Sequence, residues 1–238
     1  MSVQLSIIIP CFNEASTIAQ CIAGIKNCAK DFNDVEIIVV DGNSTDGTVT
    51  ILKFLTVKTV LIKVRGRAKQ MNIGAAEACG EILYFLHADT LPPIDFDELI
   101  IKAKNNNIDA GCFRLKFDHN HWFLKVNAWC TRFSFDSFRF GDQSLFINKK
   151  VFIEIGGFNE ANLVFEDQEI IERIRLQYNF RVLKQYVTSS ARMYLGNGIY
   201  YTQIYYFYLF VLYKCGMSQA LILKKYKRNL NRTATNET

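Results

Sequence analysis

Proline and histidine are both scarce in this chain, with three of each in 238 residues. So few prolines leave no Pro-rich linker or polyproline segment to account for. The seven cysteines are odd in number, scattered, and contain no Cys-x-x-Cys pair, which excludes a zinc ribbon or a disulfide framework. They read as small buried hydrophobes in a reducing compartment. No GxxxxGK[ST] loop occurs, and no GxGxxG follows the first strand-like run, which excludes P-loop NTPases and ordinary dinucleotide oxidoreductases. The N-terminus has no basic n-region or cleavage site, so a secretory signal is not expected and a cytoplasmic location is. No uncharged run is long enough to lead one to expect a transmembrane span.

Half of the chain is hydrophobic and 13% is aromatic, ample for one large core. The net charge of +5 is uneven. Six of the 28 bases but one of the 23 acids lie from Lys214 onward, so residues 1–213 are balanced and the excess sits in the tail. A neutral body argues against a nucleic-acid-binding protein, whose basic surface spreads over its binding face.

The first ninety residues alternate strand-like and helix-like segments. Leu5–Ile9, Val35–Val40 and Ile82–Leu86 are predominantly apolar runs that read as buried strands. Val60–Val64 is a weaker third strand. Ile18, Cys21, Ile22 and Ile25 fall on one helical stripe, and Arg67–Ala78 also reads as a helix. This alternation implies parallel βαβ units in a doubly wound sheet, with ligands beyond the carboxyl ends of the strands. Pro10–Glu14, Asp41–Thr48 and His87–Thr90 are the segments at those ends. Further on, Gly111–Phe117 alternates like an edge or half-exposed strand. His121–Phe135 reads as an aromatic-rich helix, Phe140–Asn148 as a strand, and a helix opens at Glu166-Asp167 and runs through Tyr178.

Asp41 ends a buried strand and can accept hydrogen bonds from a ligand, whereas Asp46 reads as a cap for the next helix. Asp89 is either a cation ligand or a helix cap. Glu166 and Asp167 either favour a helix N-terminus or supply a general base. His119 and His121 read as surface or helix-start residues.

Together, SIIIPCFNE (6–14), VVDGNSTDGT (39–48), GRAKQMNIGAAEACGEILYFLHADT (66–90), GDQSLFINKKVFIEIGGFNE (141–160) and EDQEIIERIR (166–175) resemble a family 2 glycosyltransferase. The likeness is to its small bacterial subgroup with L-H-A-D-T and G-D-Q motifs. It implies an α/β GT-A fold: a Rossmann-like, mostly parallel sheet flanked by helices, with a C-terminal aromatic and basic helical extension. Residues 1–195 would be the glycosyltransferase domain and 196–238 the extension. The resemblance assigns Pro10, Asn13, Glu14, Asp41, Arg67, Gln70, Asn72, His87 and Asp89 to a nucleotide-diphosphate sugar. It gives Asp89 to a divalent cation, Mn²⁺ or Mg²⁺, and Asp167 to catalysis as the base. It places Gly141, Asp142, Gln143 and Glu166 at a hydroxyl acceptor. His87 stands where the family's first Asp-x-Asp acid would be, so one carboxylate holds the cation. The Q-x-x-R-W signature of processive synthases is absent, which implies a single inverting transfer.

Residues 199–213 carry no charge and six tyrosines, and the basic tail follows. As a helix they would span about 22 Å, short of a hydrocarbon core of ~30 Å. An anionic membrane surface, with a lipid-linked acceptor and a peripheral location on the cytoplasmic face, is one reading. Packing in the core or in a homodimer interface is the other. A sugar nucleotidyltransferase, or a non-catalytic membrane adaptor on this fold, are the rival functions.

Overall fold

The computed structural model describes residues 3–133 and 144–230. Four parallel strands form one half of its sheet: β1 (Leu5–Cys11), β2 (Val35–Asp41), β3 (Lys58–Leu61) and β4 (Ile82–Phe85), in the order β3-β2-β1-β4. β1 runs two residues past the expected Ile9, so Pro10 lies within the strand, opposite Val40. β3 starts earlier than expected because its pairing is dictated by Val39–Asp41 rather than by its own mostly exposed side chains.

The two faces of this half sort by the strand period of two. Leu5, Ile7, Ile9 and Cys11 face α1 (Ile18–Cys28), which presents the expected Ile18, Cys21, Ile22 and Ile25. Ile8, Ile38 and Val40 face α3 (Arg67–Glu77), which presents Ala68, Met71 and Ala75. A Cβ added to Gly74 of α3 would stand 2.4 Å from Ile8 Cγ2, so glycine lets that helix lie directly on the sheet.

The order continues β4-β7-β6-β8-β5, with β5 (Thr90–Leu91), β6 (Ala110–Phe117), β7 (Leu145–Asn148) and β8 (Phe180–Ser189). β7 is antiparallel to both neighbours. The described part of the expected 140–148 strand is 145–148. β6 corrects the expectation of an edge: it lies between β7 and β8 and is largely buried, with α5 (Trp122–Cys130) packed on the face that carries Leu115 and Phe117. A register shift after Phe113 bends β8, whose last residues pair with β5. That bend delivers the chain after Ser189 to the end of β4.

α7 (Glu166–Gln177) buries Ile170, Ile171 and Ile174 beneath the sheet. The C-terminal helices are α8 (Arg192–Asn197), α9 (Ile199–Lys214) and α10 (Gln219–Leu230). α9 and α10 meet through Leu209, Ile222 and Leu230, and Phe165 packs into the same cluster. The aromatic helix thus has one buried side, while Ile204 and Phe207 are 69% and 64% exposed. No helix among the described residues is long and apolar enough to cross a membrane.

Candidate active site

The loops that follow β1 and β2 close on each other. Asn13 adopts a positive φ of 53°, its N–H donates to Ser44 Oγ at 2.8 Å, and its Oδ1 accepts from Thr45 N at 2.9 Å. The Glu14 N–H donates to Thr48 Oγ1, and Ala15 N–H to Asp46 Oδ2. Asp46 also accepts from the N–H of Thr48, the first residue of the short helix α2 (Thr48–Leu52), as a cap would. Asp41, 1% exposed, accepts from both the N–H and the hydroxyl of Ser44. The acids expected at this rim are therefore where the sequence puts them, and part of their bonding capacity shapes the rim itself.

Two amides expected at a nucleotide serve the scaffold. Gln70, 3% exposed, donates through Nε2 to the carbonyls of Cys11 and Val40, both at 2.8 Å. It joins the ends of β1 and β2 to the first turn of α3. Asn72 donates to Phe158 O and Glu160 Oε1 and accepts from Phe158 N. Both side chains are directed at protein partners, because α3 turns them toward the strand ends and the 157–160 loop.

Asp89 and Glu14 face a residue that nothing in the local sequence announces. Arg192, first in α8, places Nη2 at 3.3 Å from both Glu14 oxygens and at 3.8 Å from Asp89 Oδ2. The β5–β8 pairing puts it there, and Ser190 N–H donates to Asp89 O at 3.2 Å. His87 is half-buried, and its carbonyl accepts from Cys21 Sγ. Burial, followed by the charges of Asp89 and Glu14, pushes the Cys21 thiol up to about 12. Arg65 stacks on the Phe12 ring at 3.9 Å, another cation at this rim that sequence reasoning passed over. Desolvation, then the neighbouring charge of Arg67, holds its guanidinium below the usual value.

A second constellation gathers at the start of α7. Glu166 is 2% exposed and Asp167 9%, and Arg67 Nη1 lies 3.1 Å from Glu166 Oε1 and 3.9 Å from Asp167 Oδ2. Glu166, then Asp167, raises the Arg67 guanidinium above its ordinary value, so it stays charged. Phe165, at a positive φ of 67°, turns the chain so that both acids open the helix. These groups line one end of a cavity of about 120 Å³, whose other walls come from β6 and the C-terminal helices. Gly141, Asp142 and Gln143 lie outside the described residues.

The donor set at the rim suits a hard cation only in a particular way. Among the described residues no group of three or more His, Cys, Asp or Glu is arranged to hold a metal. Asp89 offers a partly open carboxylate at the strand end, with 29% of its side chain exposed. One carboxylate completed by substrate phosphates is a familiar arrangement for Mg²⁺-type ions, and these residues fit it.

A parallel nucleotide-fold half, a mixed half in which β7 runs antiparallel to both neighbours, and acids at the strand ends define a glycosyltransferase fold of the GT-A type. The chain belongs to glycosyl transferase family 2, whose family profile matches residues 6–159. It is similar to the probable glycosyltransferase YdaM of Bacillus subtilis, 24% identical over 210 residues that cover 78% of this chain and 50% of that protein. Over 93 residues it is 36% identical to the GalNAc(5)-diNAcBac-PP-undecaprenol beta-1,3-glucosyltransferase of Campylobacter jejuni, covering 36% of this chain and 29% of that one. The chain thus spans half or less of the length of these relatives. Among solved structures, S. aureus TarS 1–349 in complex with UDP superposes with a TM-score of 0.67 at 18% identity, over 79% of this chain and 60% of that one. Mannosyltransferase PcManGT from Pyrobaculum calidifontis, in complex with GDP-Man and Mn²⁺, gives 0.63 at 21%, over 79% and 57%.

Proposed function

We propose that this protein moves one sugar from a nucleotide-diphosphate sugar to an acceptor hydroxyl, with inversion at the anomeric carbon. The observation that carries this reading is the placement of Asp167, buried beside Arg67 and lining a cavity of about 120 Å³. Asp167 takes the proton of the acceptor hydroxyl, and the oxygen attacks the anomeric carbon as the bond to the diphosphate breaks. One displacement needs no enzyme nucleophile. Glu166 holds Arg67 and thereby the geometry of the pair. Asn13, Glu14 and Asp41 form the nucleotide wall, with Gln70 and Asn72 positioning it. Arg65 and Arg192 are the chain's own cations near the departing diphosphate. Asp89 would hold a divalent cation, which when bound supplies further positive charge to that leaving group. The Pyrobaculum neighbour, described with GDP-Man and Mn²⁺, supports a cation and a nucleotide sugar by likeness of fold.

The acceptor belongs on a membrane. Exposed Trp122 and Trp129 lie on α5 and exposed Tyr200, Ile204 and Phe207 on α9, and the two helices meet where the Trp122 and Tyr200 rings stand 6.4 Å apart. Each set recurs at helical spacing, and Arg132 stacks on Trp129 at 4.6 Å. Lys224, Lys225, Lys227 and Arg228 follow on α10. Aromatic side chains flanked by bases suit the interface of an anionic bilayer. The Campylobacter relative's name, a glucosyltransferase of an undecaprenol-linked glycan, agrees with a lipid-linked acceptor.

Asp167→Asn tests the reading. It should lower donor turnover by about 10²–10⁴-fold while leaving donor binding within about twofold. Retained turnover in a folded Asp167→Asn protein would falsify the assignment.

A further inference from the structure

Gln168, the third residue of α7, is 2% exposed, and among the described residues neither the oxygen nor the nitrogen of its amide has a hydrogen-bond partner. Native proteins leave few buried amides unpaired, since each forgoes the hydrogen bonds it made to water. This amide lines the same cavity as Asp167. Away from the charged end, Leu115, Phe117, Val164, Met193 and Leu223 share the walls with polar side chains already bonded within the protein: Asn127 and Tyr194 both donate to Gln203 Oε1, and Thr131 donates to Ala128 O. An enclosed apolar cavity of about 150 Å³ takes a benzene ring, and this partly open one of about 120 Å³ has room for an apolar group of that order. Of the lining amides Gln168 alone is buried without a partner among the described residues, so a sugar ring would bring several hydroxyls against these walls with few groups free to receive them, and desolvating hydroxyls without partners is costly.

We propose that the cavity seats the apolar group of an amphiphilic acceptor beside the hydroxyl that Asp167 deprotonates, and that Gln168 selects this acceptor by hydrogen bonding. The proposal rests on the transferase reading above and names the substrate class of that site. A side-chain amide offers a donor and an acceptor side by side. A neighbouring hydroxyl or acetamido group on the acceptor, which both gives and receives a hydrogen bond, completes it. A site built around such a pair rejects analogues that lack the polar group far more strongly than an apolar pocket rejects a missing methylene.

Phenyl β-D-glucoside and methyl β-D-glucoside serve as probes, because they share their hydroxyls and differ in the apolar group. Titrated into the full chain by calorimetry without donor, the phenyl compound should bind at least tenfold more tightly. Gln168→Met removes the unpaired amide at similar volume, so the free protein should melt about 2–4 °C higher, with phenyl glucoside binding weakened at least tenfold. Leu223→Trp fills the cavity from α10 without touching an acid and should abolish the phenyl preference. Equal binding of the two glucosides to the wild-type chain overturns the proposal whatever the variants do. A lower melting temperature in Gln168→Met also overturns it, because the amide would then be a structural bond. Nucleotide-sugar binding, measured on the same samples, separates the two readings. Its loss with the phenyl preference intact defeats the transferase reading, and the reverse defeats only the cavity.

Discussion

The guanidinium of Arg192 stands 3.3 Å from the carboxylate of Glu14, a residue 178 positions earlier in the chain, and 3.8 Å from that of Asp89. Side chains more than half and less than a third exposed meet here, so the ion pair contributes little to stability, about 0–1 kcal/mol. Its consequence is electrostatic: two carboxylates that attract a cation already share one. Arg192→Gln should move the melting temperature by no more than about 4 °C and lower the Mn²⁺ concentration for half-maximal donor binding several-fold. A higher Mn²⁺ requirement in the variant would mean that Arg192 assists the cation rather than competing with it.

Arg67 should matter more to the fold. Glu166 keeps 3% of its side chain exposed, and without Arg67 its charge would be left buried and uncompensated. Because Arg67 is itself half open, Arg67→Met should cost about 1–3 kcal/mol. Adding Glu166→Gln should recover part of that loss, and a double-mutant cycle by urea unfolding measures the coupling. Additive losses would show that the two side chains do not interact.

Gln70 makes a separate claim about the scaffold. Gln70→Leu removes the bonds to the Cys11 and Val40 carbonyls at the ends of β1 and β2, while Cys11 O keeps the Gly42 N–H, a loss of about 1–3 kcal/mol. Donor binding should fall with it, since the same strand ends carry the nucleotide wall. An unchanged denaturation midpoint with weakened donor binding would instead make Gln70 a direct ligand.

Two thiols predict an alkaline limit. Burial, followed by the charge of Asp41, pushes Cys11 up to about 12, and burial likewise pushes Cys21 up to about 12, from an ordinary value of 9.0. Between those values the folded chain retains protons that the unfolded chain loses. Their stabilisation is complete below pH 9 and disappears as pH rises toward 12. The unfolding free energy should fall through that window, more steeply than in Cys11→Ala. At pH 8, iodoacetamide should label exposed Cys79 and Cys215 before either buried thiol.

The parallel half of the sheet was legible because β1, β2 and β4 are buried on both faces and their residues say so. α1 showed its apolar stripe, and α3 and α7 also read as helices. β8 was missed: Phe180–Ser189 mixes exposed and buried positions without alternation, and its pairing with β6 and β5 decides its conformation. Missing β8 meant missing Arg192, whose place depends on where that strand ends. Asp41, Glu14 and Asp89 were readable as strand-end acids. That Gln70 and Asn72 turn toward protein partners was not, since motif position gives a side chain's location but not its direction. Gln168 lay within a motif already singled out, yet only burial shows its amide to be unpaired.

The donor site is the center of this account, and nucleotide-sugar binding tests it most directly. Melting of the full chain should be followed with UDP-, GDP-, CDP- and dTDP-sugars, each with and without Mn²⁺ or Mg²⁺. One nucleotide should raise the midpoint in a cation-dependent way, by an amount that grows with its excess over the dissociation constant. The shift should vanish in Asp89→Asn and shrink in Asp41→Ala. A cooperatively melting protein that shifts with none of them, under any cation, would contradict the transferase mechanism proposed for this site.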